Sequence, residues 1–76
     1  MELFELATFV KRKRKQANLT QLELAKKAGV GLRFLRDVEQ GKATLRMDKV
    51  NQVLRMFGHE LAPMPLNREK YLNEAG

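Results

Sequence analysis

The chain contains no cysteine and a single histidine, His59, among its 76 residues. The first absence excludes a disulfide framework, a zinc ribbon and a thiol nucleophile, and one imidazole alone builds no metal site. No nucleophile, phosphate-cradling Gly loop or carboxylate pair accompanies His59, so neither an enzyme nor a cofactor is expected. Proline is confined to Pro63 and Pro65, which forbid a helix interior there and tolerate an extended edge strand. No apolar run approaches the roughly 18 residues of a membrane span. The first residues carry acids, with no basic flank ahead of a short apolar stretch, so a signal peptide is not expected and a cytoplasmic location is. There is no internal repeat and no low-complexity block.

What is present is small and basic. At this length the expectation is one domain, with no room for a second, catalytic one. Domains of this size bury only about 60% of their unfolded surface. With neither disulfide nor metal, pairing with a second copy is the expected staple. Fifteen Lys and Arg against nine Asp and Glu give a net charge of +6, which favours a polyanionic partner. The distribution is sharper than the total: Lys11 to Arg55 holds thirteen bases and four acids, a net +9, while residues 1–10 contribute −2 and residues 59–76 contribute −1. The polyanion is expected at the middle of the chain.

Periodicity places a first helix over residues 2–17, with Leu3, Leu6, Val10 and Ala17 near helical spacing. Its second half is the run Lys11-Arg12-Lys13-Arg14-Lys15, which cannot all face one way. Asn18-Leu19 breaks the pattern. Thr20-Gln21-Leu22-Glu23 then reads as a capping box, with Leu19 and Leu24 as its hydrophobic staple, opening a helix from Gln21 to about Ala28 that stops at Gly29. Only Gly29-Val30-Gly31 separates it from the apolar pattern Phe34, Leu35 and Val38, closed by Gly41. Two short helices joined by such a turn form a helix-turn-helix. Leu45 and Met47 are expected to plug the core. Asp48 is the expected N-cap of a fourth helix, where Val50, Val53, Leu54 and Phe57 recur at helical spacing before Gly58. Met47, Met56 and Met64 are read as packing residues. Residues 59–66 read as an extended segment, and residues 67–76 as a polar tail or a single marginal turn.

The stretch Val10 to Lys42, with Arg14, Leu19-Thr20-Gln21, Glu23-Leu24-Ala25, Gly29-Val30 and Glu39-Gln40-Gly41-Lys42, resembles the Cro/C1-type (XRE) helix-turn-helix domain of phage repressors. The part beyond it, with Leu32-Arg33-Phe34-Leu35 and a short extended end after Gly58, is similar to HipB-type antitoxins. The resemblance implies a mostly α, lambda-repressor-like domain of four to five helices over residues 1–58. A β-strand at residues 59–66 would pair with its copy in a homodimer. It also implies that Arg14 and Glu39 form an ion pair with a structural role, so that Arg14 is not a DNA contact. Gln21 would donate to a DNA phosphate; Gly31, Leu32, Arg33, Arg36 and Asp37 would lie on the major-groove side; Lys42 would touch backbone.

The residues themselves agree. With Leu35 and Val38 turned inward, Arg33, Arg36 and Asp37 project outward, and Arg is the commonest reader of guanine. Arg33 and Asp37, at i and i+4, have the alternative of pairing with each other. Leu32 offers only an apolar contact to a thymine methyl. Lys11, Arg12, Lys13 and Lys15 divide between a solvated helix face and phosphate contact. Proline parity assigns the strand's pairing edge to Glu60, Ala62 and Met64, with Leu61 packing beside them. The expected function is a sequence-specific repressor of an inverted-repeat operator in double-stranded DNA. The likeness to HipB implies an antitoxin that autorepresses its promoter and binds a HipA-like kinase toxin. A free-standing phage or plasmid repressor, or a module that neutralises a partner protein without using DNA, are the alternatives.

Overall fold

The structure is a computed structural model and describes residues 3–66. Four helices follow in chain order: α1 Leu3–Gln16, α2 Gln21–Ala28, α3 Leu32–Glu39 and α4 Met47–Arg55. Among the described residues there is no strand; His59 to Leu66 is irregular in the single chain. The expected tail at 67–76 and the first residue of the expected first helix, Glu2, lie outside the described residues.

The helix boundaries follow from local chemistry. The Thr20 hydroxyl accepts from the Glu23 N–H at 3.1 Å, and the Glu23 carboxylate accepts from the Thr20 N–H at 2.8 Å. That reciprocal pair satisfies two donors at the start of α2. The Thr20 backbone N–H, then its hydroxyl, hold the Glu23 carboxyl below the usual range, with Lys27 adding to the effect.

All four helices stop in one way. At Gly29, whose φ is 76°, the Gly29 N–H returns to the Lys26 carbonyl at 3.3 Å and the Val30 N–H to that of Ala25 at 3.0 Å. Asn18, Gly41 and Gly58 repeat the geometry with φ of 58°, 77° and 73°, and the N–H groups of Leu19, Lys42 and His59 close on Arg14, Asp37 and Leu54. A left-handed residue lets the chain turn back and satisfy last-turn carbonyls. Glycine adopts it without a Cβ clash, and asparagine is among the side chains that tolerate it best.

The core is drawn from every helix: Val10 of α1, Leu24 and Ala25 of α2, Leu35 and Val38 of α3, and Val50, Val53 and Leu54 of α4 are all buried. Leu19 and Leu45 pack against this cluster, as expected of them. A fully buried leucine such as Leu35 contributes about 1.5–3 kcal/mol relative to an exposed one. α3 packs against both α1 and α2, and α4 against α2, so the third helix is held from two sides.

Two expectations about α4 need correction. Asp48 is not its N-cap: the helix begins two residues earlier, at Met47, Arg46 stands at the cap position, and the Asp48 carboxylate in the first turn takes the Arg46 guanidinium at 2.8 Å. That hydrogen bond, with the Arg46 charge, lowers the Asp48 carboxyl below its ordinary range. Met47, Met56 and Met64 are not core residues. They are 68%, 41% and 83% exposed; along α4 the inward stripe is already filled by Val50, Val53 and Leu54, and Met64 lies in the exposed segment beyond it.

Candidate functional site

Three residues from three helices set the angle of α3. The Glu39 side chain, at the C-terminal end of α3, is 1% exposed, and Arg14 of α1 meets it with two bonds, Nε to Oε2 at 2.7 Å and Nη2 to Oε1 at 3.1 Å. Gln21, the first residue of α2, adds its amide Nε2 to the same Oε1 at 3.1 Å. The remaining arm of Arg14 donates to the Leu19 carbonyl at 2.9 Å. A buried carboxylate is tolerated only when its lone pairs are met by well-placed donors. Among the described residues no buried side-chain nitrogen or oxygen lacks a partner. Arg14 therefore takes the structural place expected of it.

With α3 pinned through Glu39, Leu35 and Val38, its opposite face is left to solvent. Arg33 and Arg36 are exposed there, and with Asp37 and Gln40 they line a small, mainly polar cleft of about 300 Å³. Neither arginine has a partner among the described residues. Asp37 does not pair with Arg33: the left-handed turn at Gly41 folds Lys42 back onto Asp37, N–H to carbonyl at 3.0 Å and Nζ to Oδ2 at 3.5 Å. Gly31 precedes α3 in an extended conformation, and a Cβ there would meet nothing within 4 Å, so the turn itself does not require glycine. Leu32 is half-buried at the start of the helix.

The other expected site residues lie elsewhere. Leu61 is half-buried against the core, and its N–H donates to Asn51 Oδ1 of α4 at 2.7 Å. Glu60, Ala62 and Met64 are exposed. His59 stacks edge-on against Phe9 of α1, with centroids 4.8 Å apart.

Three contributors escape sequence reasoning. Gln52 of α4 donates to the carbonyls of Ala28 and Gly29 at 3.2 and 3.3 Å, tying the turn between α2 and α3 to the last helix. Asn51 anchors Leu61, and Gln40 joins the outer face of α3. A glutamine or asparagine on a helix carries no pattern in sequence that reveals its hydrogen-bond partner ten or more positions away.

The short α2, the Gly-bearing turn and the solvent-facing α3 define a helix-turn-helix domain. The chain belongs to the Helix-turn-helix family of Cro/C1 type, which matches residues 10–62. It is 50% identical over 54 residues to y4mF of Sinorhizobium fredii, named an HTH-type transcriptional regulator, with 71% of each chain covered.

Proposed function

We propose that the chain is a homodimeric, sequence-specific DNA-binding repressor that acts by binding alone, without catalysis. The observation that carries this reading is the outer face of α3, where Arg33 and Arg36 are exposed and without partners on a helix fixed from behind by Arg14 and Glu39. Unpaired guanidinium groups on a rigid helix suit bidentate contact with guanine in the major groove. Lys42 and the N-terminal end of α2 suit phosphates. Gln21 takes part in that role with the second hydrogen of its amide, the first being held by Glu39.

Dimerisation is supported by the backbone of His59 to Leu66. In an extended chain alternate N–H groups point to opposite edges. On the odd edge His59 donates to the Leu54 carbonyl at 3.0 Å, Leu61 donates to Asn51 at 2.7 Å, and Pro63 and Pro65 have no N–H. That edge has no N–H left to donate. The N–H groups of Glu60, Ala62 and Met64 find no partner among the described residues, so a strand from a second copy pairs along the even edge. The prolines then guard against a third strand.

Within this reading the chain is the HipB-like antitoxin of a toxin-antitoxin operon, supported by the likeness of its C-terminal part to that group, and its partner is a HipA-like kinase. Titration against its own promoter over a salt series tests the first part: log affinity is expected to fall by about 0.9 per phosphate contact per log unit of salt. Footprinting should find half-sites about 34 Å apart, or a multiple of that. Salt-insensitive binding would sink the DNA reading. Co-expression with the neighbouring gene tests the second part. A chain that elutes alone and still binds its promoter is a free-standing repressor.

A further inference from the structure

Beside α1 runs an open groove of about 630 Å³ that meets the outer face of α3 at Gln40. Ala7, Lys11, Arg12 and Lys15 form one wall, and Gln40 at the end of α3 closes the other. Its lining is mostly carbon, in contrast to the polar cleft between Arg33 and Gln40. Lys11, Arg12 and Lys15 are exposed, and none pairs with a carboxylate among the described residues. The acid in the lining, Glu39, is already taken by Arg14 and Gln21.

That combination selects its ligand. A phosphate backbone presents oxygen and gains little from a carbon floor, whereas a segment bearing both apolar side chains and carboxylates uses the floor and the rim together. Lysine stems add to the apolar surface while their ammonium heads stay at its edge.

We infer that the α1 groove is a docking site for an acidic, amphipathic segment of a partner protein. Its apolar side chains lie against Ala7 and the lysine stems, and its Asp or Glu side chains meet Lys11, Arg12 and Lys15. The mode is that of an amphipathic segment in a groove, with opposite charge fixing its register. It is built on α1 and meets the DNA-binding face only at Gln40, so it does not rest on the DNA-binding reading.

The full chain, labelled with ¹⁵N, is titrated with a blocked peptide repeating Leu-Glu-Glu-Leu-Phe-Asp, and with a counterpart carrying Gln and Asn at the acidic positions. Saturable shifts are expected at Ala7, Lys11, Lys15 and Gln40. Removing charge from either side, in the counterpart peptide or in the Lys11→Gln, Lys15→Gln double variant, is expected to weaken binding by about tenfold or more. Circular dichroism of the double variant should match the parent. Shifts centred on Arg33 and Arg36, equal affinity for the uncharged peptide, or no saturable binding would each overturn the proposal. So would a double variant that keeps the peptide but binds DNA of every sequence less tightly, which would assign the ridge to phosphates.

Discussion

From Thr20 to Lys42 the chain answers its own backbone: α2 opens on a reciprocal side-chain cap, and α2 and α3 both close on paired N–H to carbonyl bonds. From His59 to Leu66 only two N–H groups, those of His59 and Leu61, reach the body, and Glu60, Ala62 and Met64 offer theirs outward. The contrast is one of completeness. Buried backbone groups must be paired, so a region that pairs most of its own, the uncapped start of α3 apart, is finished as a monomer. A region whose alternate N–H groups stay unpaired takes no regular structure in the single chain.

The strongest way to break that contrast is at Glu39. Glu39→Ala leaves the Arg14 guanidinium half-buried and the Gln21 amide without its acceptor. A loss of about 3–5 kcal/mol in urea denaturation is expected, because removing one partner strands the other. A loss under about 1 kcal/mol would show that α3 is held by packing alone.

The C-terminal segment should respond differently. Ala62→Pro removes an even-edge donor and is expected to shift the protein from dimer to monomer in ultracentrifugation, with helix content unchanged. Leu61→Pro removes the bond to Asn51 instead, about 0.5–1.5 kcal/mol of attachment to α4, and leaves the even edge intact. Equal dimerisation by both variants would remove the distinction between the two edges.

On the outer face of α3, Arg33→Ala and Arg36→Ala are each expected to cost about 1–3 kcal/mol in operator affinity and to relax preference at particular bases. Lys42→Ala should weaken all sequences alike. Uniform weakening by all three would reduce the arginines to phosphate contacts.

The smallest effects belong to the start of α2. Thr20→Ala should cost about 1 kcal/mol by thermal or urea denaturation. The Glu23 carboxyl is lowered in the folded state, so its contribution is present above the ordinary glutamate range and is lost as pH falls through the lowered value. In Thr20→Ala an NMR titration of Glu23 should move part of the way back, since the hydroxyl is gone and the backbone N–H remains. An unmoved titration would leave the backbone N–H, with Lys27, as the cause.

The residues that sequence reasoning placed well act over a few positions. The capping box spans Thr20 to Glu23, and each helix stop is closed within five residues around Asn18, Gly29, Gly41 or Gly58. The apolar stripe that buries Leu35 and Val38 is also a local period, and once it is buried, Arg33 and Arg36 have only solvent to face. The Arg14–Glu39 pair, 25 residues apart, was legible through family resemblance and not through spacing.

Two expectations fail because another group is already in place. Met47 looked like a plug beside Leu45 in the connection ahead of α4, yet it opens that helix and is left exposed, the core being filled by Val50, Val53, Leu54 and side chains of the other helices. Arg33 and Asp37 had the spacing to pair, but the turn at Gly41 delivered Lys42 to Asp37 first.

By itself, the sequence determined the helices, their ends, the buried stripe and the basic middle, because backbone geometry and periodicity are settled by near neighbours. Only the tertiary structure decided that Gln21 shares the Glu39 carboxylate, that Gln52 ties down the turn across 24 residues, and that the N–H groups of His59 and Leu61 are spent on α4. Those bonds depend on where packed helices bring their side chains, and that position is a property of the whole core.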